Sequence, residues 1–316
     1  CYAEHTEKIS SVCLAPDSDH WICCSADEFS VKLWDIRSLV TIQMHNEHKG
    51  KIMCMTWSTC NSDLLLTADE KGTVVIWKLK TNFVKPFCLE KDMVCSIKAS
   101  PHSGSQFAIG YRTGIALIID IAKSYPVILQ RLRGHEAEIS SICWCPIKGE
   151  NFLNGSGDAD DGVLIATAGR KTIKIWSSTK GKEILSRKLP QSSTARYDPH
   201  DPAGKRLWMD IHWPRSMPHH LVSTSSGPQG DLYLLDIRKT SEQNLEKFIA
   251  RHVSKHTKII FNITCVGDKL CTFSMDRIIT VWSLSLREAL CSMCSFGGYV
   301  YCIKASPLDP GEWLGS

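Results

Sequence analysis

Short runs in which apolar and polar residues alternate recur along the whole chain, and this period of two predicts strands with at least one packed face. Six of these runs end on one signature: Val31-Lys32-Leu33-Trp34-Asp35-Ile36, Val75-Ile76-Trp77-Lys78-Leu79, Ile118-Ile119-Asp120-Ile121, Ile173-Lys174-Ile175-Trp176-Ser177, Leu234-Leu235-Asp236-Ile237 and Thr280-Val281-Trp282-Ser283. Measured at the Trp position, the marks fall at 34, 77, 119, 176, 235 and 282, in steps of 43, 42, 57, 59 and 47 residues. A second landmark precedes several of them. Glu4-His5, His48-Lys49-Gly50 and Gly134-His135 each open an alternating strand, and Pro or Gly punctuation such as Ala15-Pro16, Ser100-Pro101 and Cys145-Pro146 closes it.

A repeat of roughly 40 to 45 residues with a Trp-Asp tail is the signature of WD40 β-propeller blades, each of four short strands. The pattern therefore predicts an all-β fold, with six complete repeats and the start of a seventh, in a propeller that has seven blades when intact. The repeats run without interruption, so residues 1–316 read as a single propeller domain rather than the two domains that length alone suggests. The chain opens on Cys1 and ends at Gly315-Ser316, partway through a unit that starts near Gly298, and so reads as a fragment truncated at both ends. Two stretches lengthen the period. Residues 149–162 are acidic and turn-rich and predict a flexible insertion; residues 189–206 predict a long loop over one rim.

Lys and Arg number 37 against 33 Asp and Glu, an excess too small to demand a nucleic-acid partner, so any basic surface has to be local. No apolar run approaches the roughly 20 residues a membrane span needs. The 15 cysteines sit mainly inside strand patterns, which fits buried free thiols better than disulfides. Cys291-Ser292-Met293-Cys294 is a formal C-x-x-C with no second pair or spaced His, so no metal is expected there.

Catalytic patterns are thin: the chain has no G-x-S-x-G, Walker loop, G-x-G-x-x-G or H-E-x-x-H, and it reads as a non-enzyme without a cofactor. His5 and His135 belong to the blade-opening turn. Asp276, six residues before Trp282, stands where an acid anchors that turn; the same offset gives Glu28 before Trp34 and Arg170 before Trp176. A cation in place of the anchor makes Arg170 a surface-binding candidate.

Aromatic and basic residues gather at strand starts. Trp208 opens the fifth repeat, Lys258 the sixth, and Tyr299 and Tyr301 the partial seventh, while Arg277 occupies the turn before the sixth repeat's third strand. Rings interleaved with cations are what single-stranded nucleic acid needs, since bases stack at roughly 1–3 kcal/mol each while cations follow phosphate. The same residues equally suit packing, or a rim that grips a peptide.

Particular strings go beyond the generic repeat. Arg131-Leu132-Arg133-Gly134-His135, Ser141-Ile142-Cys143-Trp144-Cys145-Pro146, Phe107-Ala108-Ile109-Gly110-Tyr111, Arg206-Leu207-Trp208, His212-Trp213-Pro214, Ser274-Met275-Asp276-Arg277 and Gly297-Gly298-Tyr299-Val300-Tyr301 resemble the first propeller of the gem-associated protein 5 family. That resemblance implies an RNA-recognising subunit of the survival-of-motor-neuron complex, which reads the Sm site and 7-methylguanosine cap of small nuclear RNA for spliceosomal particle assembly. It implies Trp208 and Tyr299 as cap-stacking rings, with Lys258 and Arg277 as polar or phosphate contacts. The family pattern has Phe more often at 299 and Arg at 258; Lys258 keeps the charge without the planar fork. The implied partners are capped, Sm-site-containing small nuclear RNA and subunits of that complex, with no DNA and no membrane, and the implied location is the cytoplasm and nuclear bodies. The competing reading is a WD40 protein-interaction scaffold without RNA binding.

Overall fold

A computed structural model of the chain describes residues 4–16, 22–123, 125–148, 163–170, 172–189, 209–224, 230–239, 245–247, 256–294, 303–305 and 313–315. Among these residues there is no helix, and the strands form four-stranded antiparallel sheets in which chain neighbours pair in order. This meander is the propeller blade expected from the repeats. The chain falls into two compact units, residues 1–134 with 301–316, and residues 135–300.

The first unit carries three blades. They are β1 (Ser11–Leu14), β2 (Ile22–Ala26), β3 (Val31–Asp35) and β4 (Val40–His45); β5 (Ile52–Trp57), β6 (Leu64–Asp69), β7 (Thr73–Lys78) and β8 (Phe83–Cys88); and β9 (Val94–Ala99), β10 (Gln106–Tyr111), β11 (Ile115–Asp120) and β12 (Val127–Arg133). The second unit holds β13 (Ile139–Trp144), β14 (Leu164–Gly169), β15 (Thr172–Ser177) and β16 (Glu183–Lys188); β17 (Ile211–His212), β18 (His220–Thr224), β19 (Leu232–Asp236) and β20 (Leu245–Lys247); and β21 (Ile260–Val266), β22 (Lys269–Ser274), β23 (Ile278–Ser283) and β24 (Glu288–Cys294). A last pair, β25 (Ile303–Ala305) and β26 (Trp313–Gly315), belongs with the first unit. The segments 149–162 and 190–206, read above as an insertion and most of a long loop, lie outside the described residues.

Burial explains the sequence pattern strand by strand. The second strand of a blade is packed on both faces, so Leu64-Leu65-Leu66-Thr67-Ala68-Asp69 and Leu164-Ile165-Ala166-Thr167-Ala168-Gly169 are buried throughout and read as continuous apolar runs. The fourth strand has one covered face, and β4 and β12 alternate exposed with half-buried positions. Cores form where consecutive blades of a unit stack. Ala26, Val31 and Leu33 meet Ile52, Leu65 and Trp77, and Val222 and Leu234 meet Ile260, Leu270 and Trp282. At about 1.5–3 kcal/mol for each large apolar side chain, these layers dominate the favourable side of folding.

The repeat marks have a hydrogen-bonding role. Trp176 Nε1 donates to Thr167 Oγ1 and Trp282 Nε1 to Thr272 Oγ1, each at 2.8 Å, and the same hydroxyls lie 2.8 and 2.7 Å from Nε2 of His135 and His256. In the sixth blade His256 Nδ1 is 3.1 Å from Asp276, so a relay from Trp282 through Thr272 to His256 and on to Asp276 satisfies four buried polar groups together. The fixed-offset expectation for the anchoring acid fails in the first blade. His5 Nδ1 meets Asp27 at 2.9 Å, whereas Glu28 pairs with Lys51 at 2.5 Å. The second blade uses Asp69, 3.2 Å from His48 Nδ1. The turn after the second strand differs in conformation from blade to blade, so its acid does not keep a constant distance from the Trp.

Candidate nucleic-acid interface

The segment opening the first strand of a blade and the turn between its second and third strands meet at one end of the sheet. In the sixth blade this brings together the two described members of the predicted site. Ser274 Oγ donates to the Lys258 carbonyl at 3.0 Å, the Met275 amide to the Ile259 carbonyl at 2.8 Å, and the Arg277 amide to the Ser274 carbonyl at 3.0 Å. Lys258 and Arg277 therefore stand at the same end of the blade although 19 positions apart in sequence, and both side chains are exposed. Trp208, Tyr299 and Tyr301 lie outside the described residues.

The acid beside these cations is already engaged. Asp276 accepts the Thr257 and Ile278 amides, each at 2.9 Å, and faces His256. Burial works to raise the Asp276 carboxyl, but these amides and the His256 ring outweigh it and hold it below the usual carboxylate value. A carboxylate turned inward on two amides leaves the outward charges of Lys258 and Arg277 available to an anion.

Comparison across the repeats singles out Arg277. Five residues before the Trp mark the chain has Gly72, Gly114 and Gly230 in the second, third and fifth blades, with φ of 88°, 82° and 61°. Arg277 occupies this position at φ 65°. A left-handed backbone costs an L-residue with a Cβ roughly 1–2 kcal/mol, so the turn geometry favours Gly and the guanidinium is present in spite of it. Strain of this kind concentrates where a side chain is needed.

Two further residues, missed in the sequence, build this end of the unit. Gly230 approaches the sixth blade so closely that a Cβ there would sit 2.4 Å from the Lys258 carbonyl oxygen and 2.7 Å from His256 Cβ. Asp210, two residues after Trp208 in sequence, accepts Ser141 Oγ at 2.6 Å, Asn262 Nδ2 at 2.9 Å and the Ile263 amide at 2.8 Å. One carboxylate thus joins the first strands of three consecutive blades. These partners in the neighbouring blades are 52 or more positions away, which is why no local pattern revealed it.

Arg170 is exposed directly after β14, and among the described residues no acid takes the anchoring place. His135 Nδ1 meets Thr172 Oγ1 at 3.1 Å instead, and burial, aided by Lys174, pushes that imidazole down to about 4. Cys291 and Cys294 are free and exposed on β24, three positions apart and hence on opposite faces of the strand.

Similarity to known proteins follows the repeats. A family model described as the RIG first beta-propeller matches residues 9–159. Gem-associated protein 5 of mouse is 34% identical and that of human 33% identical, each alignment covering 98% of this chain and 22% of the relative. The chain is thus similar over nearly its whole length to a part of gem-associated protein 5. It spans about a fifth of the length of those relatives. Component of gems protein 5 from Dictyostelium discoideum is 26% identical over 86% of the chain and 25% of its own length. Among solved structures, one titled "Structure of U3-55K" superposes with a TM-score of 0.71 at 18% identity, covering 97% of this chain and 87% of that one, and supports the propeller fold.

Proposed function

We propose that this chain is an RNA-binding propeller that recognises capped small nuclear RNA, its Sm site and 7-methylguanosine cap, for delivery to the survival-of-motor-neuron complex during spliceosomal particle assembly. The observation that carries the reading is that Ser274 ties the backbone of Lys258 to the turn of Arg277, which is left-handed where three sister repeats place glycine. The names of the mouse and human relatives support the assembly context. In this reading Trp208 and Tyr299 stack on the methylated base, Tyr301 is a further RNA contact, and Lys258 and Arg277 meet the phosphates. A methylated guanine is cationic, so each ring adds cation–π attraction of about 0.5–2 kcal/mol to the stacking. The protein works without a cofactor, in the cytoplasm and in nuclear bodies, alongside other subunits of that complex.

Titration with a cap analogue tests this directly. Tryptophan fluorescence falls on binding, and Trp208→Ala removes both the response and the affinity. Fluorescence that stays unchanged at millimolar analogue in the folded chain would overturn the reading. A protein-docking role is favoured by a different observation, the exposed Val40, Ile42 and Met44 along β4. Salt separates the two, because phosphate contacts weaken steeply as salt rises and an apolar peptide contact does not.

A further inference from the structure

The turn position that holds glycine in three blades and Arg277 in a fourth holds Phe29 in the first blade, and that ring is 51% exposed. Packing does not account for it, yet its backbone is fixed firmly. Asp27 accepts the Phe29 amide at 3.0 Å, the Ser30 amide and the Ser30 hydroxyl each at 2.8 Å, and His5 closes the turn from behind at 2.9 Å. A rigid turn presenting an aromatic face loses little entropy when something stacks on it.

Exposed cations stand at the neighbouring blade opening in the same unit. The Glu28 carbonyl accepts the Ile52 amide at 2.9 Å, which sets the Phe29 turn against the opening of the second blade. There Lys49 and Lys71 are exposed. Lys71 Nζ reaches the neutral Lys49 carbonyl at 2.6 Å, and Gly50 lies under its stem, where a Cβ would be 3.0 Å from Lys71 Cγ. The nearby carboxylates are engaged elsewhere, Glu28 by the Lys51 ammonium at 2.5 Å and Glu70 by the Lys51 amide at 3.3 Å. The two ammonium charges of Lys49 and Lys71 therefore stand at the blade opening to which the Phe29 turn is hydrogen-bonded.

We propose that Phe29, Lys49 and Lys71 form a contact surface for single-stranded RNA in the unit of residues 1–134, with Phe29 stacking an unpaired base and the two lysines meeting flanking phosphates. Duplex RNA does not fit, because its bases are already stacked. The proposal rests on the RNA-binding reading above but uses residues and a ligand feature separate from the cap.

The test is fluorescence polarisation of the chain with a labelled, uncapped single-stranded RNA of about ten nucleotides. Phe29→Ala weakens binding about tenfold while Phe29→Trp retains it. The double substitution Lys49→Gln with Lys71→Gln lowers the slope of log affinity against log salt by about 1.4, two phosphate contacts at about 0.7 each. Melting temperature and cap-analogue affinity stay unchanged in all three variants. Equal affinity of Phe29→Ala and the unaltered chain overturns the proposal and leaves the cap reading standing. Loss of cap-analogue affinity in Phe29→Ala also overturns it, as general damage. A chain that binds neither probe removes both readings together.

Discussion

Asp210 and Ser141, 69 positions apart, share a hydrogen bond of 2.6 Å that ties the fifth blade to the fourth, while the other oxygen of the same carboxylate accepts from the sixth. Hydrogen bonds to a charged acceptor contribute about 1.5–3 kcal/mol each, and removing that acceptor leaves the Ile263 amide and the Asn262 side chain without it. Asp210→Ala therefore lowers stability by about 2–4 kcal/mol, read as a shift in the urea midpoint. Ser141→Ala costs less, since Asp210 keeps its other donors. A midpoint unchanged in Asp210→Ala would show that the tie carries no weight.

Arg277→Gly moves stability and binding in opposite directions. Glycine relieves the left-handed strain at φ 65° and raises stability by roughly 1 kcal/mol. The same change removes a cation from the proposed phosphate contact and weakens capped RNA binding about tenfold, as loss of one good charge-assisted contact does. Thermal melting and RNA titration on one preparation read both. A variant less stable than the parent contradicts the strain argument; one that binds equally well contradicts the assigned role.

Acid destabilises this fold through buried imidazoles. Burial, with a smaller push from His48, drives His45 down to about 3, and His135 is pushed down to about 4. His45 sits edge-on to Trp77 at 4.8 Å, with His48 6.0 Å away. Both imidazoles take up protons less readily folded than unfolded, so unfolding is coupled to proton uptake below about pH 6.5. Each contributes a loss of up to about 1.4 kcal/mol per pH unit between 6.5 and its folded value. Asp27, lowered to about 2 because four hydrogen bonds outweigh its burial, adds a loss of the same sign at lower pH. His45→Phe reduces the slope of the urea midpoint between pH 6.5 and 4.5; an unaltered slope would remove His45 from the account.

How much of this was legible in the sequence depended on the range over which each feature acts. The Trp marks and the alternation around them gave the blades, because a strand's burial pattern is written in adjacent residues. That Lys258 and Arg277 share a surface was expected from their places at a strand start and a turn; the β21–β22 register, which sets Ile260 against Ser274, brings the two segments together. The anchoring acids Asp27 and Asp69 escaped because turn conformation varies between repeats. Asp210 was hidden because its partners belong to other blades. Phe29 carries no local signal and stands out only when its exposure is set against the glycines at the same repeat position.

The hairpins between third and fourth strands offer a matched pair of tests. Leu39 and Asn82 both occupy the left-handed region, at φ 57° and 48°. Leu39 is exposed at 39%, so Leu39→Gly relieves strain with little lost packing and stabilises by about 0.5–1 kcal/mol. Asn82 Oδ1 accepts Trp77 Nε1 at 2.9 Å, and Asn82→Gly leaves that buried indole unpaired at a cost of about 1–3 kcal/mol. Chemical denaturation of the two variants gives shifts of opposite sign; shifts of the same sign would contradict the assignment of roles.

The central claim is that this end of the propeller reads a methylated cap through rings and cations acting together. Its most direct test is calorimetric titration of the chain with one short RNA prepared with and without the 7-methylguanosine cap, alongside Arg277→Gly and Trp208→Ala. The account predicts at least about tenfold tighter binding of the capped form, an advantage lost in Trp208→Ala and reduced in Arg277→Gly. Equal affinity for capped and uncapped RNA in the unaltered chain would contradict it.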